Sequence, residues 1–287
     1  MTKDERFECV KISFRQEERG QTAAGSPPPQ FVAMGGAKTY ISPRKMELGI
    51  IGILFGMSCI GCFIQRVSGF GFGIFVMTVF PHILASYGEA TALSGMLAGS
   101  MSLVLAYRMR KYIVWKEVLP ILTIFTAVSF FAVGAVSGLD DKIIKHILGV
   151  ILIVISIYFF FISHRIKLKP TVPVQIGLGV TSGLMGGLFA MQGPPAILYF
   201  IASCETKEKY IAHSQVYFAL GNLMMTFFRA VNGFVTSSVG IAYGCGILGV
   251  IIGTTIGGKV FKKIPHKFLK KIVYIYMAIS GIVALCT

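Results

Sequence analysis

Charged residues, and acidic ones above all, are scarce in this chain. Only 12 of its 287 residues are Asp or Glu, and the charged types together make up 14%, against about 25% in an ordinary soluble domain. The 27 Lys and Arg residues leave a net charge of +15, but they lie in short clusters between apolar runs. A nucleic-acid-binding protein would carry them on one face or arm. The composition therefore excludes a soluble globular domain and disfavours a nucleic-acid partner.

The cysteines and the sequence motifs give no sign of a cofactor or a metal site. The six cysteines are widely spaced, and the pair Cys59 and Cys62 has no second ligand pair to complete a site. Two small residues one helical turn apart in a membrane segment are the simpler interpretation. The chain also has no H-E-x-x-H or G-x-S-x-G sequence with a partner histidine. We therefore predict no metal, no cofactor and no catalytic residues.

Long hydrophobic runs, in contrast, fill most of the chain. Hydrophobic residues make up 54% of it, the mean hydropathy is +0.74, and one bilayer span needs about 20 mostly apolar residues. These runs, with basic clusters between them, predict an all-α polytopic membrane protein. The expected segments cover residues 48–86, 90–107, 118–138, 143–163, 174–203, 211–228, 239–257 and 268–286.

Residues 1–46 differ in composition from the rest of the chain. They hold eight basic and five acidic side chains, and Pro27, Pro28 and Pro29 follow one another beside Gly and Ser. No long apolar run occurs there, so a secretory signal peptide is not expected. We predict a mobile polar tail outside the functional unit.

Two apolar segments, 48–86 and 174–203, are too long for one straight helix. The first is interrupted at residues 65–73 by a glycine-rich stretch, and the second at residues 191–195 by the sequence MQGPP. Glycine and proline break a helix, and the freed backbone groups are tolerated in a bilayer only where they line a polar cavity. Paired breaks of this kind are the best sequence indication of a transporter's binding site, and the N-terminus of a half-helix attracts an anion.

The two breaks belong to an internal repeat. A shift of 124 residues aligns Ser68 with Gln192 and Gly69 with Gly193, and a shift of 125 aligns residues 139–145 with 264–270. This nearly constant offset predicts two homologous membrane repeats, 47–165 and 174–287, joined by a basic linker at 166–173. The alternation of basic and nearly uncharged loops favours inverted repeats, each with an interrupted or re-entrant segment followed by three transmembrane helices.

Arg66 is the one charged residue in the middle of an apolar run. A charge at that depth costs at least about 2.5–3.5 kcal/mol on insertion scales, so a functional or paired role is the default explanation. Beside the glycine-rich break, its guanidinium predicts an anionic ligand. The alternative is that segment 48–86 forms two spans, with Arg66 in the loop between them.

Polar residues of the segment after the second break form a further candidate group. Gln215, Asn222 and Arg229 belong to one expected polar stretch, where they either bind the ligand or hydrogen-bond across helices. Residues of the two breaks and of this stretch together make up the predicted substrate site: Arg66, Ser68, Gly69, Gln192, Gly193, Pro194, Gln215, Asn222 and Arg229.

The second break resembles a known family. Residues 186–199, with the sequence GGLFAMQGPPAILY, look like the second-half signature of the TauE/SafE sulfite exporter family. The run 215–233 strengthens the match, and residues 69–73 (GFGFG) are similar to the first-half glycine motif, in which the glycines are often adjacent. The resemblance covers about residues 47–287. It implies a duplicated membrane transporter for small anions such as sulfite, sulfonates and related carboxylates.

We therefore predict a multi-pass transporter of the cell membrane whose partners are a small anionic substrate and the lipid bilayer. Export is the favoured direction, because an inside-negative potential assists anion exit by about 2.3 kcal/mol per charge per 100 mV. An anion channel would share these sequence features and stays open as an alternative. An intramembrane enzyme is a weaker one, since hydrolysis needs a nucleophile or metal constellation at depth.

Overall fold

The computed structural model describes residues 48–157 and 169–260, together with the isolated residues 282 and 285. Within these residues it contains ten α-helices and no strand, which confirms the all-α class. Five helices are long and apolar enough to cross a bilayer, as expected of a polytopic membrane protein. The predicted tail 1–46, the start of the predicted linker 166–173 and nearly all of the expected span 268–286 lie outside the described residues.

The first half contains the predicted break. Its helices are α1 (Leu48–Ser68), α2 (Phe72–Val76), α3 (Phe80–Ile83), α4 (Tyr87–Arg108), α5 (Trp115–Ser137) and α6 (Asp141–Ile157). Gly69 and Gly71 have φ values of 90° and 110°, which residues with a Cβ rarely adopt. Gly61 lies against Phe72 and Val76, so α2 folds back along α1 after this turn. The long first segment is therefore one interrupted element.

The second half contains the second break. Its described helices are α7 (Val172–Phe189), α8 (Gly193–Ser203), α9 (Lys207–Val231) and α10 (Ser237–Val260). The break follows α7, where Ala190 has a φ of 56°. Helix α8 then begins with prolines in its first turn, a position that suits proline because its φ is already helical and its missing N–H is not needed.

Glycines on α10 bring that helix against α1, because a residue without a side chain lets two backbones approach closely. Gly249 lies against the backbone of Phe55, and Gly257 lies against Arg66. Both contacts advance in the same chain direction, so α10 runs parallel to α1.

Glycines on α7 place it against α5 in the same manner. Gly183 lies against Val128, and Gly187 lies against Ala132. These contacts also advance together, so α7 runs parallel to α5. Helices α4 and α9 run antiparallel instead, since Gly88 contacts Phe234 while Gly99, eleven residues later, contacts Asn222.

The helix pairs therefore connect the two halves. In the predicted repeat, α1 would correspond to α7, α4 to α9 and α5 to α10. The repeat would then turn the pair α1–α10 into the pair α7–α5, and it would turn α4–α9 into itself. Such self-complementary pairing is typical of two units related by a two-fold axis. The inverted orientation of the two repeats in the membrane stays a prediction.

Candidate functional site

The two breaks meet in space. A methyl group on Gly73 would collide with the carbonyl oxygen of Ala190, and one on Gly193 would lie 3.0 Å from Cβ of Phe70. The irregular segments thus cross at a distance that only glycine permits at Gly73. Gly73 serves a close backbone approach, and Gly193 makes room for the Phe70 side chain, which the sequence alone could not distinguish from ordinary helix packing.

A small cavity lies at this crossing. Its volume is about 30 Å³. One water molecule needs about 10–15 Å³ of such space, so two or three water-sized groups fit. The wall comes from both breaks and from the middle of α4 and α9. The lining residues include the predicted Gln192, Gly193, Pro194 and Asn222, together with Gln65 and the aromatic Phe70 and Phe218.

Three side-chain amides belong to the residues of this wall. Pro194 and Pro195 occupy the first turn of α8, so two of the backbone N–H groups that usually make a helix N-terminus an anion site are missing there. The partial positive charge of the helix end remains. Gln65, Gln192 and Asn222 carry the side-chain amide N–H groups of the lining residues, and Gln65 Nε2 also donates to Ser102 Oγ at 3.3 Å.

The Gln192 side chain is held only loosely. Its Nε2 donates to the Phe218 carbonyl oxygen at 3.5 Å, the limit for a hydrogen bond, and its Oε1 is buried without a partner in the described part of the chain. A buried amide with an unused hydrogen-bonding group costs free energy unless a ligand or water completes it. The unused oxygen is an acceptor that water can satisfy, and the second N–H of Nε2 is the group that Gln192 can donate to an anion.

A buried hydroxyl pair fixes the backbone of the second break. Ser182 Oγ donates to the Gln192 carbonyl oxygen at 2.7 Å and lies 2.8 Å from Tyr217 Oη. Because the serine hydroxyl has a single proton, Tyr217 is the donor in the second bond. The network ties α7 and α9 to the residue that precedes α8, so it positions the cavity wall.

Arg229 supports the same break from behind the cavity. It is 1% exposed, and its Nη2 donates to the carbonyl oxygens of Gly186 at 2.9 Å and Gly187 at 3.3 Å. The Gly186 carbonyl also accepts from the Ala190 backbone N–H at 3.0 Å, and the cation complements the negative end of the helix dipole where α7 ends. Its Nη1 is buried without a partner among the described residues and lies against Gly95 of α4, so part of its hydrogen-bonding capacity is unused.

The other predicted site residues lie outside the cavity wall. Arg66 lines a second cavity, Gly69 forms the turn after α1, and Gln215 is buried on α9 with an unpartnered Oε1. Ser68 ends α1, and its side chain lies outside the described part of the structure. The structure therefore brings together the residues of the second break and Asn222, and leaves Arg66 in different surroundings.

A polar cluster fixes the far end of α8. Lys209 Nζ lies 2.6 Å from Glu117 Oε1, and Glu117 Oε2 is 3.7 Å from His213 Nδ1. Cys204, which follows α8, has its Sγ 3.4 Å from the same Nδ1. Burial raises the pKa of the Cys204 thiol, so the thiol stays protonated near neutral pH.

The donor set of this cluster resembles a metal site, because thiol, imidazole and carboxylate groups converge in it. However, His213 Nε2 already accepts a hydrogen bond from the Val114 backbone N–H at 3.0 Å. A neutral imidazole that accepts at Nε2 carries its proton on Nδ1, where a metal would have to bind. The geometry therefore favours a proton at Nδ1, which Nδ1 donates to the Cys204 sulfur at 3.4 Å.

Sequence reasoning missed several of these residues. Gln65 adjoins the more conspicuous Arg66, and an uncharged amide in an apolar run was the signal that could have marked it. Tyr217 resembles the apolar residues around it, so the sequence does not indicate its hydrogen bond to Ser182. The Glu117, Cys204 and His213 cluster combines residues from distant segment ends.

The comparisons with known proteins agree with this architecture. The family model described as sulfite exporter TauE/SafE matches residues 53–284, a range that includes both breaks and the central helices α4 and α9. No curated protein and no solved structure matches the chain. Because the family match spans most of the sequence, the chain belongs to the TauE/SafE sulfite exporter family of membrane transporters.

Proposed function

We propose that the protein exports small anions, namely sulfite and related sulfonates or short carboxylates, and binds them where the two broken helices cross. The observation that carries this proposal is the cavity between the breaks, with amide donors in its wall. Membership of the TauE/SafE family supports the transport of sulfite or related anions. The specific ligand is part of our proposal. We place the protein in the cell membrane on the same basis.

The proposed ligand is small because the cavity is small. With room for two or three water-sized groups, it suits a sulfite ion or the head of a sulfonate rather than a bulky acid. Gln192 and Asn222 would donate hydrogen bonds, and Gly193 and Pro194 would form the wall at the positive end of α8. Arg229, just behind the break, would add positive potential.

The remaining predicted residues are proposed to act around the cavity. Gly69 sets the turn of the first break beside Ser68, and Gln215 packs within α9. Arg66 follows Gln65, which lines the cavity, while Arg66 itself lines the second one. We therefore assign Arg66 to the positive potential that draws an anion toward the site, and not to direct contact.

We further propose that the two halves are inverted repeats and that the cavity lies near the middle of the membrane. The antiparallel course of the equivalent helices α4 and α9 supports the inversion. Ala98 and Asn222, which line the cavity, lie well inside α4 and α9 rather than at their ends. This arrangement is typical of transporters with paired broken helices.

Sulfite flux from proteoliposomes tests the proposal. Replacing Gln192 or Asn222 by Leu removes an amide donor at similar size, and we expect at least roughly a tenfold loss of sulfite affinity, because a hydrogen bond to a charged group contributes about 1.5–3 kcal/mol. Gln175→Leu, an equivalent change away from the cavity at the start of α7, is the matched control. Unchanged flux in both site variants would place the substrate elsewhere.

The same assay separates the alternatives. A transporter gives sulfite flux that saturates with substrate concentration, whereas flux that rises linearly would indicate an anion channel. Incubation of the purified protein with sulfite and sulfonates, followed by product analysis, tests the enzyme alternative. Turnover of any of them would overturn the proposal of a simple transporter.

A further inference from the structure

A second cavity lies between α1, α4 and α10. Its volume is about 610 Å³, which makes it roughly twenty times larger than the cavity between the breaks. This lateral cavity takes no part in the crossing of the broken helices, and none of the proposed substrate contacts lines it. Its size and its lining call for a ligand of a different kind.

Three cations converge on one end of the lateral cavity. Arg66 from α1, Arg108 from α4 and Lys259 from α10 line it, and no Asp or Glu is among its described lining residues. Each of the three lies in the last turn of its helix, where a cation complements the helix dipole. That preference explains one cation per helix, but it does not require all three to face the same space.

The rest of the lateral cavity is largely apolar and opens sideways. Val104 and Ile251 line it and are 50% and 57% exposed. In a membrane protein, exposed aliphatic side chains face the acyl chains of the bilayer. The opening between α4 and α10 thus leads into lipid, whereas a small hydrophilic anion would need an aqueous opening.

We propose that the lateral cavity binds an anionic phospholipid. Its phosphate would lie among Arg66, Arg108 and Lys259, and one acyl chain would run along Val104 and Ile251. Basic pockets between transmembrane helices on the cytoplasmic side bind lipid headgroups in this manner. A lipid there would hold the end of α1, and hence the first break, against α4 and α10.

The test compares the binding of phosphatidylglycerol and phosphatidylcholine to the purified full-length protein, measured by native mass spectrometry and by the shift of the melting temperature. Arg108→Gln removes one cation from the lateral cavity, and we expect the affinity for phosphatidylglycerol to fall roughly tenfold, because a charge-assisted hydrogen bond to the phosphate is lost. Arg110→Gln is the matched control, because Arg110 is exposed in the adjacent loop and does not line the cavity.

A change in the apolar wall tests the proposal without altering charge. Val104→Trp places a large side chain at the opening, and we expect it to lower phosphatidylglycerol binding while the protein keeps its melting temperature in lipid-free detergent. Equal binding of the two lipids, or equal losses in Arg108→Gln and Arg110→Gln, would overturn the proposal.

The last part of the experiment measures the effect of free anions on the melting temperature. If inorganic phosphate or sulfite raised the melting temperature as phosphatidylglycerol does, with the same dependence on Arg108, the lateral cavity would be a site for free anions and the lipid proposal would fail. Gln192→Leu should leave phosphatidylglycerol binding unchanged, so a failure here is distinguishable from a failure of the proposed transport site.

Discussion

Replacement of Gly193 by Leu tests the crossing of the broken helices most directly. A methyl group at this position would already lie 3.0 Å from Cβ of Phe70, so the Phe70 side chain must move by a few tenths of an ångström. Leucine adds three further carbon atoms, and the cavity beside it has room for only two or three water-sized groups. The variant side chain would therefore occupy the space that we assign to the substrate.

The size of the effect follows from the cost of overpacking. Extra carbon atoms in a closely packed site cost about 1–3 kcal/mol. If that free energy opposes the substrate-bound state, sulfite affinity falls roughly fivefold to a hundredfold, at about 1.4 kcal/mol per factor of ten. Gly193→Ala has less to accommodate and should lie between the wild type and the leucine variant.

The assay is the initial rate of sulfite efflux from proteoliposomes that contain equal amounts of each protein. Gly177→Leu is the control, since a methyl group on Gly177 of α7 meets nothing within 4 Å. We expect the control to transport normally and Gly193→Leu to lose most of its flux while still inserting into the membrane. Normal flux in Gly193→Leu would refute the reasoning, because the crossing would then be a packing feature only.

Three further predictions test neighbouring features. Gly73→Ala should lower the melting temperature and the sulfite affinity, because the added methyl group forces the Ala190 carbonyl away. Gly134→Ala should change neither, since a methyl group there meets nothing within 4 Å. Equal behaviour of the two variants would contradict the crossing of the breaks. Arg66→Gln should weaken sulfite affinity and Arg66→Lys should preserve it, if only charge matters; equal affinities in all three proteins would exclude a role in binding. Because its pKa is raised by burial, the Cys204 thiol should react slowly with iodoacetamide at pH 7 and faster as the pH rises, and fast alkylation at pH 7 would argue against its burial.

The positions of the helix breaks could be predicted from the sequence because they depend on local chemistry. Pro194 and Pro195 favour the start of a helix at this position whatever its neighbours are, since proline has a helical φ and no N–H. Gly69 and Gly71 end α1 because the turn needs positive φ. The helical class and the apolar segments follow likewise from composition and segment length. These properties do not depend on which helices become neighbours.

The composition of the site depended on packing and could not be predicted in the same way. Gln65 and Arg66 are adjacent in the sequence but point about 100° apart on a helix, and the packing of α10 against α1 decided that Gln65 lines the cavity while Arg66 lines the lateral one. Arg229 acts on carbonyl groups more than forty residues away. The sequence determined which residues were unusual, and the tertiary structure determined which of them meet. The reason is that helix rotation and register set the side-chain neighbours across helices, and no local sequence pattern encodes either of them.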